Sequence, residues 1–268
     1  MATKLSPPRK VSPPPQPEAA IIEDDDGSPR MTLWDHLDEL RKRITWAAIS
    51  LLIGTIIGVA VAAPVLLELQ KPYGREFQVI GPTDSVVAYF RVSLLVGGIL
   101  AIPMITYQVL VFILPGLTRK EKRYVLTALP AITLLFLVGA AFAWYILVPP
   151  AMGFLENFQA TIFEPDWTAE AYLGFVTALI FWMGVAFQTP LIFFITALLG
   201  FVTAGGLLKQ WRIAIVSSAI AAALITPTID PVNMALVMGP LLVLYLFSII
   251  LVAIGRRFSG VSERATAT

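Results

Sequence analysis

The chain has no cysteine and a single histidine, His36. Without thiols there are no disulfides, thiolate nucleophiles or cysteine zinc sites. One histidine leaves no His-pair metal motif such as HExxH and no imidazole base inside an apolar segment. Charge is scarce as well. Only 14% of the 268 residues are Asp, Glu, Lys or Arg, against about 25% in an ordinary soluble domain. That excludes a soluble monomer, a disordered tail protein and a basic nucleic-acid binder. The formal net charge of +1 creates no global field for nucleic acid or acidic partners. A GxSxG elbow and a P-loop ending in Lys-Ser/Thr are also missing, and Gly205-Gly206 reads as a loop, not a phosphate cradle. No enzyme, cofactor or metal site is expected. Apolar side chains are abundant, at 57%. Most residues must be buried in lipid or in one another.

Residues 1–30 differ from the rest. They hold Pro7, Pro8, Pro13, Pro14, Pro15, Pro17 and Pro29, with an acidic run over 23–26. Such sequence buries too little apolar area to offset its ordering entropy, and is expected to be a disordered extension. No apolar run follows Lys4, Arg9 and Lys10, so it does not read as a secretory signal. Thr32 to Asp35 then matches a capping box. Leu33, Leu37, Leu40 and Ile44 fall on one helical stripe, which predicts a short amphipathic helix leading into the first apolar run.

A helix that spans a bilayer needs about 20 apolar residues. The runs 44–67, 86–114, 124–148 and 172–199 satisfy this. The run 213–225 gives only about 20 Å of helix at 1.5 Å per residue and stops at Thr226-Pro227. The last run is 234–254, with Pro240 expected to shorten its helical part. Six segments are therefore expected over 31–258, followed by a tail at 259–268. Basic residues orient them. All but Lys71, Arg75 and Arg91 lie on the side of the N-terminus, and the loop 149–171 carries acids and no base. Both termini are expected in the cytoplasm.

Prolines recur in the apolar runs at 64, 103, 130, 190 and 240. Each removes a backbone donor and crowds the preceding turn. They read either as tolerated kinks or as a shaped groove. Gln188, in the middle of the fourth run, reads either as an interhelical hydrogen bond or as a groove residue. Gln108 is shallower and reads as structural. Asp84 reads as a cap or turn, and Asp230 as a turn residue before Pro231. Two carboxylates stand out, Glu39 and Glu121, each among basic residues. Glu39 suits an i,i+4 pair with Arg43, as Asp38 does with Lys42. Glu121 offsets its neighbours Arg119, Lys120, Lys122 and Arg123. The alternative is that both acids receive guanidinium groups, whose planar fork suits carboxylates.

Residues 35–43, Asp-His-Leu-Asp-Glu-Leu-Arg-Lys-Arg, resemble the N-terminal signature of the TatC family. That family forms the large subunit of the twin-arginine protein translocase. Pro103, Tyr107-Gln108, Phe112, Pro115, Leu117 and Glu121-Lys122-Arg123 are similar to its second helix and first cytoplasmic loop. Phe136, Gly139, Phe142 and the stretch 145–149 resemble its third helix. Phe187-Gln188-Thr189-Pro190, and Thr226-Pro227 with Asp230, resemble its later motifs. The resemblance covers roughly 31–258. It implies an all-α fold of six kinked helices in a concave wall, with helices 5 and 6 short. It implies no catalysis. The implied role is a receptor for twin-arginine signal peptides of folded cargo, in a multimeric complex with small single-span TatA- and TatB-type partners, driven by the proton-motive force in the inner membrane. By position, Glu39 and Glu121 would bind the arginine pair, with Arg41, Phe112, Pro115, Leu117 and Arg119 around them. Gln188, Pro190, Thr226, Pro227 and Asp230 would serve the groove or its partners. Family members often carry glutamate where this chain has Gln188. Some members space the position of Asp230 one residue closer. A small-solute secondary transporter is the rival, but the two halves share too little to form a repeat, and no clear carboxylate lies at midplane.

Overall fold

The computed structural model describes residues 33–113, 127, 129–162, 166–198, 200–226 and 230–259. Two compact units are separated at Arg41, with residues 42–268 forming the larger. The described residues form helices α1 (Leu33–Gln70), α2 (Asp84–Ile113) and α3 (Leu129–Phe142), a π-helical turn (Ala143–Leu147), then α4 (Val148–Asn157), α5 (Ala169–Ala186), α6 (Thr189–Leu198), α7 (Ala204–Lys209), α8 (Trp211–Ile225) and α9 (Pro231–Ser259). The one extended pairing among them is an isolated bridge between Gln78 and Thr168. The Thr32 cap and the tails 1–30 and 260–268 lie outside the described residues.

Among the described residues, five helical stretches are long and apolar enough to cross a membrane: His36–Gln70, Asp84–Phe112, Leu129–Asn157, Ala169–Ala197 and Pro231–Gly255. The sixth, Trp211–Ile225, is shorter. The chain is thus an all-helical, multi-pass membrane protein. Lipid offers no partner for free backbone groups, so helices are forced on such sequence.

Two expectations need correction. The third span does not end at Val148 but continues to Asn157. Pro149 and Pro150 stand at the start of α4, just after the π turn, where a missing N–H is tolerated. Their side chains, with Tyr145 and Ile146, are exposed. The sixth span is not short. Its helix runs 29 residues, with Pro240 accommodated inside it. The fifth is short as expected and ends at Ile225, just before Thr226-Pro227.

The core is centred on α5. Tyr172, Leu173, Val176, Leu179 and Met183 are buried along it, and α5 packs on α2, α3, the π turn and α8. Val92 of α2 and Phe136 of α3 complete the same cluster. A satellite cluster joins Ala197 of α6, Leu207 of α7 and Ile249 and Val252 of α9. Apolar stripes also face outwards. Ile213, Val216, Ile220 and Leu224 line one face of α8 and are all exposed, as a lipid-facing helix requires.

Candidate functional site

At the start of the described chain, Glu39 is half-buried and Arg41 exposed. Two residues apart, they point about 200° apart around the helix, so they do not share a face. Phe112 is half-buried near the end of α2. Pro115, Leu117, Arg119 and Glu121 lie outside the described residues. Two of the quoted sequence motifs do meet. Arg43 Nη1 of α1 donates to Gln108 Oε1 of α2 at 3.2 Å. Gln108 is almost fully buried, and its amide reaches back to Met104 Sδ at 3.7 Å. This is the structural role read for Gln108. It also fixes the terminal guanidinium of the Arg41–Arg43 run against the second helix.

The other candidates belong to two helix junctions. Gln188 lies in the break between α5 and α6, and Pro190 is buried at the start of α6. Gln188 Nε2 donates across to the Ile132 carbonyl of α3 at 3.3 Å and to Gly184 at 3.4 Å. The interhelical hydrogen bond is therefore present. The buried Oε1 finds no partner among the described residues, which leaves acceptor capacity at this depth. Thr226 is buried at the end of α8, and its hydroxyl donates to the Ala222 carbonyl at 2.7 Å. Asp230 caps α9. Its Oδ1 accepts from Asn233 N–H at 2.6 Å and its Oδ2 from Asn233 Nδ2 at 3.0 Å, which satisfies a first-turn donor. Pro227 lies outside the described residues.

Three arrangements were missed by sequence reasoning. The first is a close crossing of α1 and α2. A Cβ added at Gly54 would lie 2.5 Å from the Gly97 carbonyl oxygen, and one at Gly58 2.2 Å from that of Ser93. The signal was present: Gly54 and Gly58 are four apart, as are Ser93 and Gly97, the small-xxx-small spacing that lets membrane helices touch. Nearby, the Tyr89 hydroxyl donates to the Val59 carbonyl at 2.7 Å. The second is a brace at the opposite end of the spans. Tyr73 stacks on Phe77 and Trp167 and donates to Asp166 at 3.2 Å. Tyr172 donates to the Leu69 carbonyl at 2.7 Å, supplying a partner to the last turn of α1. Asp84 Oδ2 accepts from Gly81 N–H at 2.8 Å, the turn role expected of it. The third is an open groove of about 290 Å³ between α6, α8 and α9, with Ser217, Ser218 and Gln210 in its wall.

Comparisons with known proteins bear on these residues together. The family model described as TatC, Sec-independent protein translocase protein, matches residues 35–240. The Sec-independent protein translocase protein TatC of Synechocystis sp. is 36% identical over 216 residues, covering 80% of this chain and 85% of that protein. The chloroplastic counterpart of Arabidopsis thaliana is 35% identical, covering 81% of this chain and 64% of its own. A crystal structure of the twin arginine translocase receptor TatC superposes with a TM-score of 0.74 at 34% identity. It covers 83% of this chain and 100% of its own.

Proposed function

The chain belongs to the TatC family of Sec-independent protein translocase proteins, and from that membership we propose that it is the signal-peptide receptor of a twin-arginine translocase. The observation that carries this reading is the extent of the family match, which starts at Asp35 and so takes in the motif bearing Glu39. On this reading Glu39 and Glu121 each receive one guanidinium of the arginine pair through charge-assisted bonds. Arg41 and Arg119 form a basic rim that keeps other cations away. Phe112, Pro115 and Leu117 supply apolar contact for the residues that follow the pair. The subunit carries out no covalent chemistry, and the proton-motive force drives transport.

The basic residues at the N-terminus, after the second span and at the C-terminus support a cytoplasmic placement of both termini in the inner membrane. Small single-span TatA- and TatB-type partners would associate in the membrane. The groove beside α8, where Ser217 and Ser218 are small enough for a close backbone approach, suits another apolar helix. Gln188, with its spare acceptor, would meet a polar donor on a seated peptide or partner.

The test is photo-crosslinking of a twin-arginine signal peptide to the full chain in membranes that hold the partners. Glu39→Ala and Glu121→Ala are each expected to cost about 1.5–3 kcal/mol, or more than tenfold in affinity. Replacing either peptide arginine by lysine should weaken crosslinking too, because lysine lacks the planar fork. Unchanged crosslinking in the double variant would move the site elsewhere. No specific crosslink to the wild-type chain would overturn the receptor role.

A further inference from the structure

A guanidinium joins two cavities at the end of the spans where α2 begins. Arg91 lies seven residues inside α2, about 10 Å along the axis from Asp84. Its Nη1 donates to the Glu170 carbonyl at 2.9 Å, and its Nη2 stands 3.8 Å from Glu170 Oε1. It crosses α5 at Gly174, where an added Cβ would meet Nη1 at 2.4 Å. On one side of it opens a cavity of about 500 Å³ lined by Thr168, Glu170 and Gly174. On the other runs a slot of about 530 Å³ between α2 and α5, walled by Leu95, Gly98, Ile102, Phe181 and Val185. Arg91 and Gly174 line both.

We propose that these two cavities, which share Arg91 and Gly174 in their walls, together hold one zwitterionic phospholipid with a primary-amine headgroup, its phosphate on Arg91, its ammonium on Glu170 and one acyl chain in the slot. The charges support a dipolar headgroup rather than an anion. Arg91 has five N–H donors, and one is committed to the Glu170 carbonyl. At 3.8 Å the Glu170 carboxylate is within ion-pair range but beyond hydrogen-bond distance, so its acceptor positions remain available. A purely anionic headgroup would meet the repulsion of Glu170. A quaternary amine would have no N–H to give it. The length agrees as well. From Arg91 to Ile105, the deepest α2 residue in the wall, is about 21 Å of helix, more than the roughly 15 Å of hydrocarbon in one leaflet. A chain from the leaflet at the Asp84 end of α2 therefore fits along it.

Native mass spectrometry of the full chain, purified in detergent and offered equal phosphatidylethanolamine, phosphatidylcholine and phosphatidylglycerol, tests this. One phosphatidylethanolamine should be retained per chain in preference to the others. Arg91→Gln should lower its retention about tenfold or more. Glu170→Gln should remove the preference for ethanolamine over choline. Ala178→Phe, which fills the slot and leaves both headgroup residues in place, should lower retention of all three lipids. Equal retention of the three by wild type, preference for phosphatidylglycerol, or retention indifferent to both Arg91→Gln and Ala178→Phe would overturn the proposal. So would a photo-reactive residue at position 178 that crosslinks in membranes to a polypeptide rather than to phospholipid.

Discussion

The junction of α1 with α2 and that of α3 with α5 both depend on glycine, in different ways. In the first, backbone lies on backbone: Gly54 faces the Gly97 carbonyl, Gly58 faces that of Ser93, and Gly97 faces the Thr55 main chain. In the second, rings lie on backbone. Phe136 of α3 covers Gly184, and Phe187, just beyond α5, covers Gly139 of α3, so each segment offers a glycine to the other's phenylalanine. Lipid tails are as apolar as the side chains, so helices gain little from apolar burial as such and associate through close packing. The two junctions reach that packing by opposite routes, one by removing side chains and the other by interlocking large ones. The first should therefore be stiff towards substitution. The second should adapt, because a ring can turn or be replaced.

The largest expected effect is at Gly58. Alanine there puts a methyl 2.2 Å from a backbone oxygen that has no rotamer to change. Overpacking costs typically 1–3 kcal/mol and occasionally more, which exceeds the roughly 1 kcal/mol alanine gains in helix propensity. The midpoint of thermal unfolding in detergent should fall, and Ser93→Ala should not restore it, because the obstructing atom is main chain. Rescue by Ser93→Ala would erase the distinction between the junctions. Gly184→Ala comes next. The clash is with the Phe136 ring at 2.7 Å, so the loss should be smaller, and Phe136→Leu in the same chain should recover part of it. A double-mutant cycle should give a coupling of about 0.5–3 kcal/mol, and a coupling near zero would break the interlocking account. The smallest effect is expected for Tyr89→Phe, which removes the bond to Val59 beside the α1–α2 crossing. It should cost about 0.5–1.5 kcal/mol, visible as a modest drop in the same unfolding midpoint.

The sequence makes the spans legible because lipid imposes a length on each apolar run. The 15-residue α8 was readable for the same reason, as was its stop before Pro227. The failures have a common cause. In the sequence the third run is bounded at Val148, before Pro149-Pro150, and Pro240 reads as shortening its helix, but proline ends a helix only where its missing donor or its ring cannot be accommodated, and the linear sequence does not show which face it occupies. Small-residue pairs such as Gly54 and Gly58 were visible as a spacing, yet nothing in the chain named Ser93 and Gly97 as their partners. At the candidate site, Gln188 was readable as an interhelical donor by its depth alone, whereas its acceptor, Ile132, is a backbone carbonyl with no sequence signature. Glu39 and Glu121 came from a motif and not from geometry. Their pairing rests on the crosslinking experiment.

The π turn over 143–147 sets the phase of the third span. Its closing bond runs from the Val148 N–H to the Ala143 carbonyl, five residues back instead of four. Each α-helical residue advances the helical face by about 100°, so one surplus residue taken up in a single wide turn resets the angle for everything after it. Before the turn the buried positions are Ile132, Phe136 and Ala140; after it they are Val148, Ala151 and Met152. Closing the turn with every residue kept would leave a regular α-helix whose first half kept its alignment. Its second half would be rotated by about a quarter-turn, carrying Met152 out of the core and an exposed proline towards it. The turn thus lets two stretches with separate periodic patterns share one axis. Removing one residue from the turn should restore a regular α-helix with both halves facing the core, so a deletion should be tolerated there more readily than anywhere else along the span.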